Sequence, residues 1–89
     1  MKIKTGFVIE EVGNSYLAVA TGERAATFRA LVRLNSTGAF LWNKLSDNDL
    51  SFDELLACLL EEYDVSEEVA RRDITAFADM LLKADILDA

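Results

Sequence analysis

The side chains here that could do chemistry are few and mostly acidic. Glu61-Glu62 and Glu67-Glu68 are paired carboxylates, Arg71-Arg72 is a paired cation, Cys58 is the single thiol, and histidine is absent. Paired carboxylates work as general acid and base when their surroundings push their pKa values apart. These two pairs fall at the ends of helical stretches with no basic partner, so they read as solvated and capping charge. Absence of histidine and a lone cysteine remove the commonest general base and the usual zinc ligands. No glycine-rich phosphate loop, nucleophile elbow or dinucleotide fingerprint occurs. Neither catalysis nor a metal or cofactor is expected. Cys58 excludes an internal disulfide and, within the apolar run Leu55–Leu60, reads as core packing.

What the spacing does offer is a binding edge. From Phe28 to Leu34 the residues alternate, with Phe28, Ala30, Val32 and Leu34 on one face and Arg29, Leu31 and Arg33 on the other. At Asn35 the period changes to that of a helix carrying Ala39, Phe40, Trp42 and Leu45, with Asn35 or Ser36 as its N-cap. A strand entering a helix without a spacer makes a rigid corner. If the strand lies at a sheet edge, Arg29 and Arg33 protect it from unwanted pairing. Leu31 between them has two readings: it packs under a neighbouring loop, or it meets a peptide that pairs with the edge.

The elements that must position this corner are legible on both sides. Gly6–Val12 and Ser15–Ala20 flank the turn signal Gly13-Asn14 and form a hairpin, with Phe7, Ile9 and Val12 inward against Tyr16 or Leu17 and Val19. Thr21–Thr27 reads as a loop. After the first helix, about 36–46, Ser51 to Glu54 matches the capping box and opens a second helix, about 52–63. Ser66 caps a third, about 67–83, whose core face is Ala70, Ile74, Phe77, Ala78 and Leu81. One flank carries Val69, Asp73, Ala76 and Met80; the other carries Arg71, Thr75 and Leu82. Ile86-Leu87 fold back onto the helices. Phe40 and Trp42 are about 200° apart on their helix, so one belongs in the helical core and the other against the sheet. The expected fold is α+β, a three-stranded antiparallel sheet followed by three helices, as one domain over residues 1–89.

The totals set limits. With 16 acids against 9 bases, the net charge is -7. Such a surface repels phosphate backbones, so no nucleic-acid partner is expected. No signal peptide and no apolar run of about 20 residues is present, which argues for no membrane partner and a cytoplasmic location. A start at Met1 and a compact ending favour a free-standing chain.

Three stretches taken together resemble the PqqD-like family, also described as RiPP recognition elements. They are VRLNSTGAFLW (Val32–Trp42), LLEEYDVSEEVARRDI (Leu59–Ile74) and the F-x-x-x-L-x-x-x-x-I-L ending from Phe77 to Leu87. Asp85 departs from the glycine frequent before the final apolar pair. The resemblance implies a winged helix-turn-helix-like domain without catalytic activity. It implies binding of the leader segment of a ribosomally synthesised precursor peptide, which is presented to a modifying enzyme, often a radical SAM enzyme. The leader adds as a strand to the third strand and lies against the third helix, a β-augmentation mode. Carried over by position, Arg29, Ala30, Leu31, Val32 and Arg33 pair with the leader, and Arg29 and Arg33 select acidic side chains. Val69, Asp73, Ala76 and Met80 are the expected contacts on the third helix. Met80 alternatively packs against the sheet's edge.

Two other readings follow from the same residues. A winged-helix DNA-binding regulator needs a basic recognition helix, and here Arg71 and Arg72 stand against Glu67, Glu68, Asp73 and Asp79. An orphan interaction domain would self-associate through the free edge strand, giving an edge-strand dimer instead of a monomer. The precursor, the modification and the enzyme are not legible, nor is pyrroloquinoline quinone as the product.

Overall fold

The hairpin that opens the main sheet is set by Gly13. Its φ of +62° is one that L side chains rarely adopt, and it lets a two-residue turn join β2 (Phe7–Val12) to β3 (Ser15–Ala20) with Val12 opposite Ser15. The structure, a computed structural model, describes residues 1–26 and 32–88. β4 (Val32–Leu34) pairs antiparallel with β3, Tyr16 opposite Leu34 and Ala18 opposite Val32, so the strand order is β2-β3-β4. The expected strand residues 28–31 lie outside the described residues.

Register assigns the faces, because side chains alternate across a strand. Phe7, Ile9, Tyr16, Ala18, Val32 and Leu34 share the inner face, and all of them join the core or pack against it. Phe7, Ile9 and Tyr16 thus face inward as expected, whereas Val12 and Val19 do not. Ala18 is the buried residue of β3, Leu17 and Val19 face the other way, and Val12 is 54% exposed. A segment with Leu17, Ala18 and Val19 in succession has an apolar residue for either face, so composition alone could not fix the parity.

Three helices follow the sheet, and the first packs against β3 and β4. α1 (Ser36–Asp47) starts one residue after β4; the Asn35 Oδ1 accepts from the Gly38 amide at 2.8 Å, and the Asn35 carbonyl accepts from Ala39 at 2.9 Å. α2 (Phe52–Glu62) carries both arms of its capping box: Ser51 Oγ accepts from Glu54 N at 3.1 Å, and Glu54 Oε1 accepts from Ser51 N at 3.0 Å. α3 (Glu67–Lys83) is capped by Ser66, which accepts from Val69 N. Leu45, Leu55, Ala70, Ile74, Leu81 and Ile86 are fully buried and, with Trp42, make up much of the common core. Trp42 takes the core position; Phe40 is half-buried and meets the Tyr63 ring edge-on, with centroids 5.5 Å apart. Cys58 is half-buried on α2 rather than a fully buried core residue, because Leu55, Leu56 and Leu59 occupy that helix's inward stripe.

Two elements go beyond the expected set. Residues Gly22–Ala26, within the stretch read as a loop, form a 3-10 helix. Arg24 donates from Nε to the Thr5 carbonyl at 2.6 Å and lies over the Phe7 ring, which ties this turn to the start of β2. The second addition is a two-stranded sheet of β1 (Lys2–Ile3) and β5 (Leu87–Asp88), with Ile3 opposite Leu87. It forms because α3 ends in a Schellman motif: Ile86 N donates to Leu81 O at 2.9 Å and Asp85 N to Leu82 O at 3.1 Å. Asp85 takes the left-handed position, φ +61°, where glycine is usual, and Lys4 reaches its carboxylate at 2.6 Å.

Candidate functional site

The corner at Leu34-Asn35 brings the open edge of β4 beside α3. Among the described residues β4 pairs only with β3, leaving its other side without a backbone partner. Unpaired strand edges are templates for a further strand. Alongside that edge runs a groove of about 250 Å³ lined by Arg33, Leu34, Asn35, Thr37, Gly38, Leu41, Asp73, Ala76, Phe77 and Met80. Its walls come from three elements: the end of β4, the first turns of α1 and one stripe of α3.

Each wall has a local cause. Gly38 lies in the first turn of α1, and a Cβ there would sit 3.2 Å from Leu34 Cβ and 3.3 Å from Asn35 Oδ1. Glycine thus permits the tight packing of strand end on helix start that closes the groove floor. On α3, residues 73, 76, 77 and 80 recur at helical spacing, so one face presents Asp73, Ala76 and Met80 around the almost fully buried Phe77. Leu34, Leu41 and Phe77 are core residues whose outer surface forms the floor.

Of the residues expected to bind, Arg33, Asp73, Ala76 and Met80 line this groove together. Val32 is buried in β4, and Val69 is half-buried one turn before Asp73, outside the groove lining. Arg29, Ala30 and Leu31 lie outside the described residues. Met80 is partly buried against the core and also lines the groove. Sequence reasoning missed Leu34, Asn35, Thr37, Gly38, Leu41 and Phe77 as groove residues. The available signal was Gly38 three residues after a capping Asn35, a small residue where a helix start must approach its neighbour closely.

Electrostatically the groove carries Arg33 at its strand side and Asp73 at its helix side. The Asp73 side chain is 44% exposed, and its nearest cation, Arg72 Nε, stands 4.0 Å away on a side chain that is itself 75% exposed. Arg71 is committed to Glu67 at 3.1 Å. The basic pair on α3 is therefore matched by acids on the same helix, leaving no cationic face for a phosphate backbone. A second, more polar cleft between β1 and the end of α1 has a larger volume, about 600 Å³. Three of the cations around it are already engaged: Lys4 with Asp85, Arg24 with the Thr5 carbonyl, and the Met1 ammonium with Asp49 at 2.9 Å. Those contacts tie chain segments together. In both ion pairs the carboxylate is held below its usual pKa, by the hydrogen bond and then the charge of its partner: Lys4 for Asp85, the N-terminal ammonium for Asp49.

Residues 20–87 match the family model of coenzyme PQQ synthesis protein D (PqqD). The chain belongs to the PqqD family. Among solved structures, TbiB1 in complex with the TbiA(beta) leader peptide is similar to this PqqD-family chain. The TM-score is 0.74 at 19% identity, with 100% of this chain and 96% of that chain covered. At that identity the likeness establishes the shared fold. No curated protein gives a significant match. The resemblance read from the Val32–Trp42, Leu59–Ile74 and Phe77–Leu87 stretches is thereby upheld. Among the described residues no group of histidine, cysteine or carboxylate side chains could hold a metal, and no helix is long and apolar enough to cross a membrane.

Proposed function

We propose that this PqqD-family chain is a non-catalytic recognition module for the leader segment of a ribosomally synthesised precursor peptide. The leader adds as a strand to the open edge of β4 and lies in the groove against α3. Its core segment is thereby presented to a separate modifying enzyme in the cytoplasm. Backbone hydrogen bonds along the edge supply affinity, and side chains entering the groove supply selectivity. In this reading Arg29–Leu31, which precede Val32 in the sequence, also contact the leader, with Leu31 as an apolar contact.

The observation that carries it is the juxtaposition of an unpaired strand edge with an apolar groove between β4 and α3. Family membership and the likeness to a protein solved with a leader peptide support it further. The test is a titration of the isotope-labelled full chain with the leader of a precursor encoded beside it, followed by amide NMR shifts. Saturable shifts at Val32–Leu34 and at Asp73, Ala76 and Met80 are expected. A well-folded monomer with no shifts for any neighbouring precursor would sink the reading. Concentration-dependent sedimentation without peptide would instead reveal pairing of two β4 edges.

A further inference from the structure

Resting on the leader-binding reading, the groove's charges say more about the peptide it takes. We propose that Asp73 is a specificity-determining residue that selects a Lys or Arg side chain in the bound peptide, next to one apolar side chain seated against Leu41, Phe77 and Met80. Asp73 on the α3 wall is the one carboxylate of the groove lining, facing the lining shared by Leu41, Phe77 and Met80, while Arg33 belongs to the β4 wall and Asn35 spends its Oδ1 on the Gly38 amide. Arg72 gives the carboxylate a 4.0 Å contact from a side chain that is itself 75% exposed.

A peptide laid across the groove removes water from Asp73. Taking a carboxylate out of water without a partner is unfavourable, and the cost is offset when the incoming chain brings a cation with hydrogen-bonding geometry. An acidic or apolar side chain at that position leaves Asp73 desolvated with only the 4.0 Å contact to Arg72, so the groove discriminates by penalty as well as by attraction. A groove of about 250 Å³ has room for one large apolar side chain beside this carboxylate. The recognised pattern is therefore one large apolar residue and one basic residue on the same face of the added strand, two positions apart.

The experiment uses the full chain and a phage-displayed library of randomised peptides. Selections are run on the wild type, on Asp73→Lys and on Asp79→Lys; Asp79 is exposed and outside the groove lining, so the two variants carry the same net charge. Wild type and Asp79→Lys are expected to enrich peptides pairing a large apolar residue with Lys or Arg, and Asp73→Lys to exchange that preference for Asp or Glu. For one enriched peptide, replacing its basic residue with Glu should weaken binding to the wild type about tenfold or more, and Asp73→Lys should recover most of that loss. Enrichment of the same charge pattern by all three proteins would overturn the role of Asp73 and leave leader binding standing. No enrichment on any of them, with all three folded by circular dichroism, would overturn the leader-binding reading together with this proposal.

Discussion

Replacing Asn35 by Ala tests whether the corner between β4 and α1 is held as described. The Asn35 Oδ1 accepts from Gly38 N at 2.8 Å, and Gly38 is itself buried against Leu34. Loss of an N-cap acceptor costs about 0.5–2 kcal/mol, and an orphaned buried donor about 1–3 kcal/mol. Ser36 offers a fallback cap one residue later, at the expense of the Ala39 N to Asn35 O bond, which pulls the expected loss toward the lower values. A loss of about 1–2 kcal/mol lowers Tm by roughly 5–15 °C for a domain of this size. Asn35→Asp retains the acceptor and adds negative charge at a helix N-terminus, so its Tm should equal or exceed the wild type's. Thermal unfolding followed by far-UV circular dichroism reads both variants. If Asn35→Ala changes stability by less than about 0.3 kcal/mol, or Asn35→Asp falls as far as Asn35→Ala, the cap does not anchor the corner.

Three further outcomes follow. Met80→Glu should weaken binding of a labelled leader about tenfold or more in fluorescence anisotropy, because it places an unpaired charge in the groove. Leu82→Glu, on the opposite flank and 46% exposed, should leave binding unchanged. Trp42→Ala should cost about 3–5 kcal/mol in urea unfolding, read by circular dichroism since it removes the single tryptophan. A cost under about 1 kcal/mol would mean that the core does not close around that ring. Asp49 and Asp85 both have folded pKa values lowered by their cationic partners. Their contribution to stability is therefore present above the ordinary carboxylate value of about 4 and is lost as pH falls through the lowered folded values. Asp85→Asn, which keeps a residue tolerant of the left-handed conformation, should give a shallower fall of Tm in acid than the wild type.

Much of this fold was legible because local signals and packing agree. The Asn35, Ser51 and Ser66 caps sit where short polar side chains precede apolar periodicity, and each satisfies an amide that the helix leaves unpaired. On α3 Ala70, Ile74, Phe77 and Leu81 are buried as their spacing required, while Ala78, read into the same face, is half-buried at its border. Elements whose cause is tertiary were not legible. The β1·β5 pair is two residues long on each side and exists because a Schellman turn returns the chain beside its start. Nothing in MKIKT signals a partner at the far end of the chain, Leu87–Asp88. The 3-10 turn at Gly22–Ala26 likewise depends on Arg24 reaching Thr5 and Phe7.

The groove shows why candidate sites are harder to read than cores. Its rim, Arg33, Asp73, Ala76 and Met80, departs from the core pattern and could be singled out by position on the strand and the helix. Its floor, Leu34, Leu41 and Phe77, obeys the core pattern, and periodicity gives no hint that one side of each ring or branch meets the groove. Floor and rim must then respond differently to substitution. Truncating Leu41 or Phe77 leaves a cavity in the core as well as in the groove, so stability and peptide affinity fall together. Changing Asp73 or Met80 alters side chains that are only half-buried, so affinity can shift while the fold is kept. A peptide seated on the floor in turn covers core side chains and stabilises the folded state by mass action. In the proposed reading, leader binding is therefore coupled to core packing through Leu34, Leu41 and Phe77, one side chain each from β4, α1 and α3.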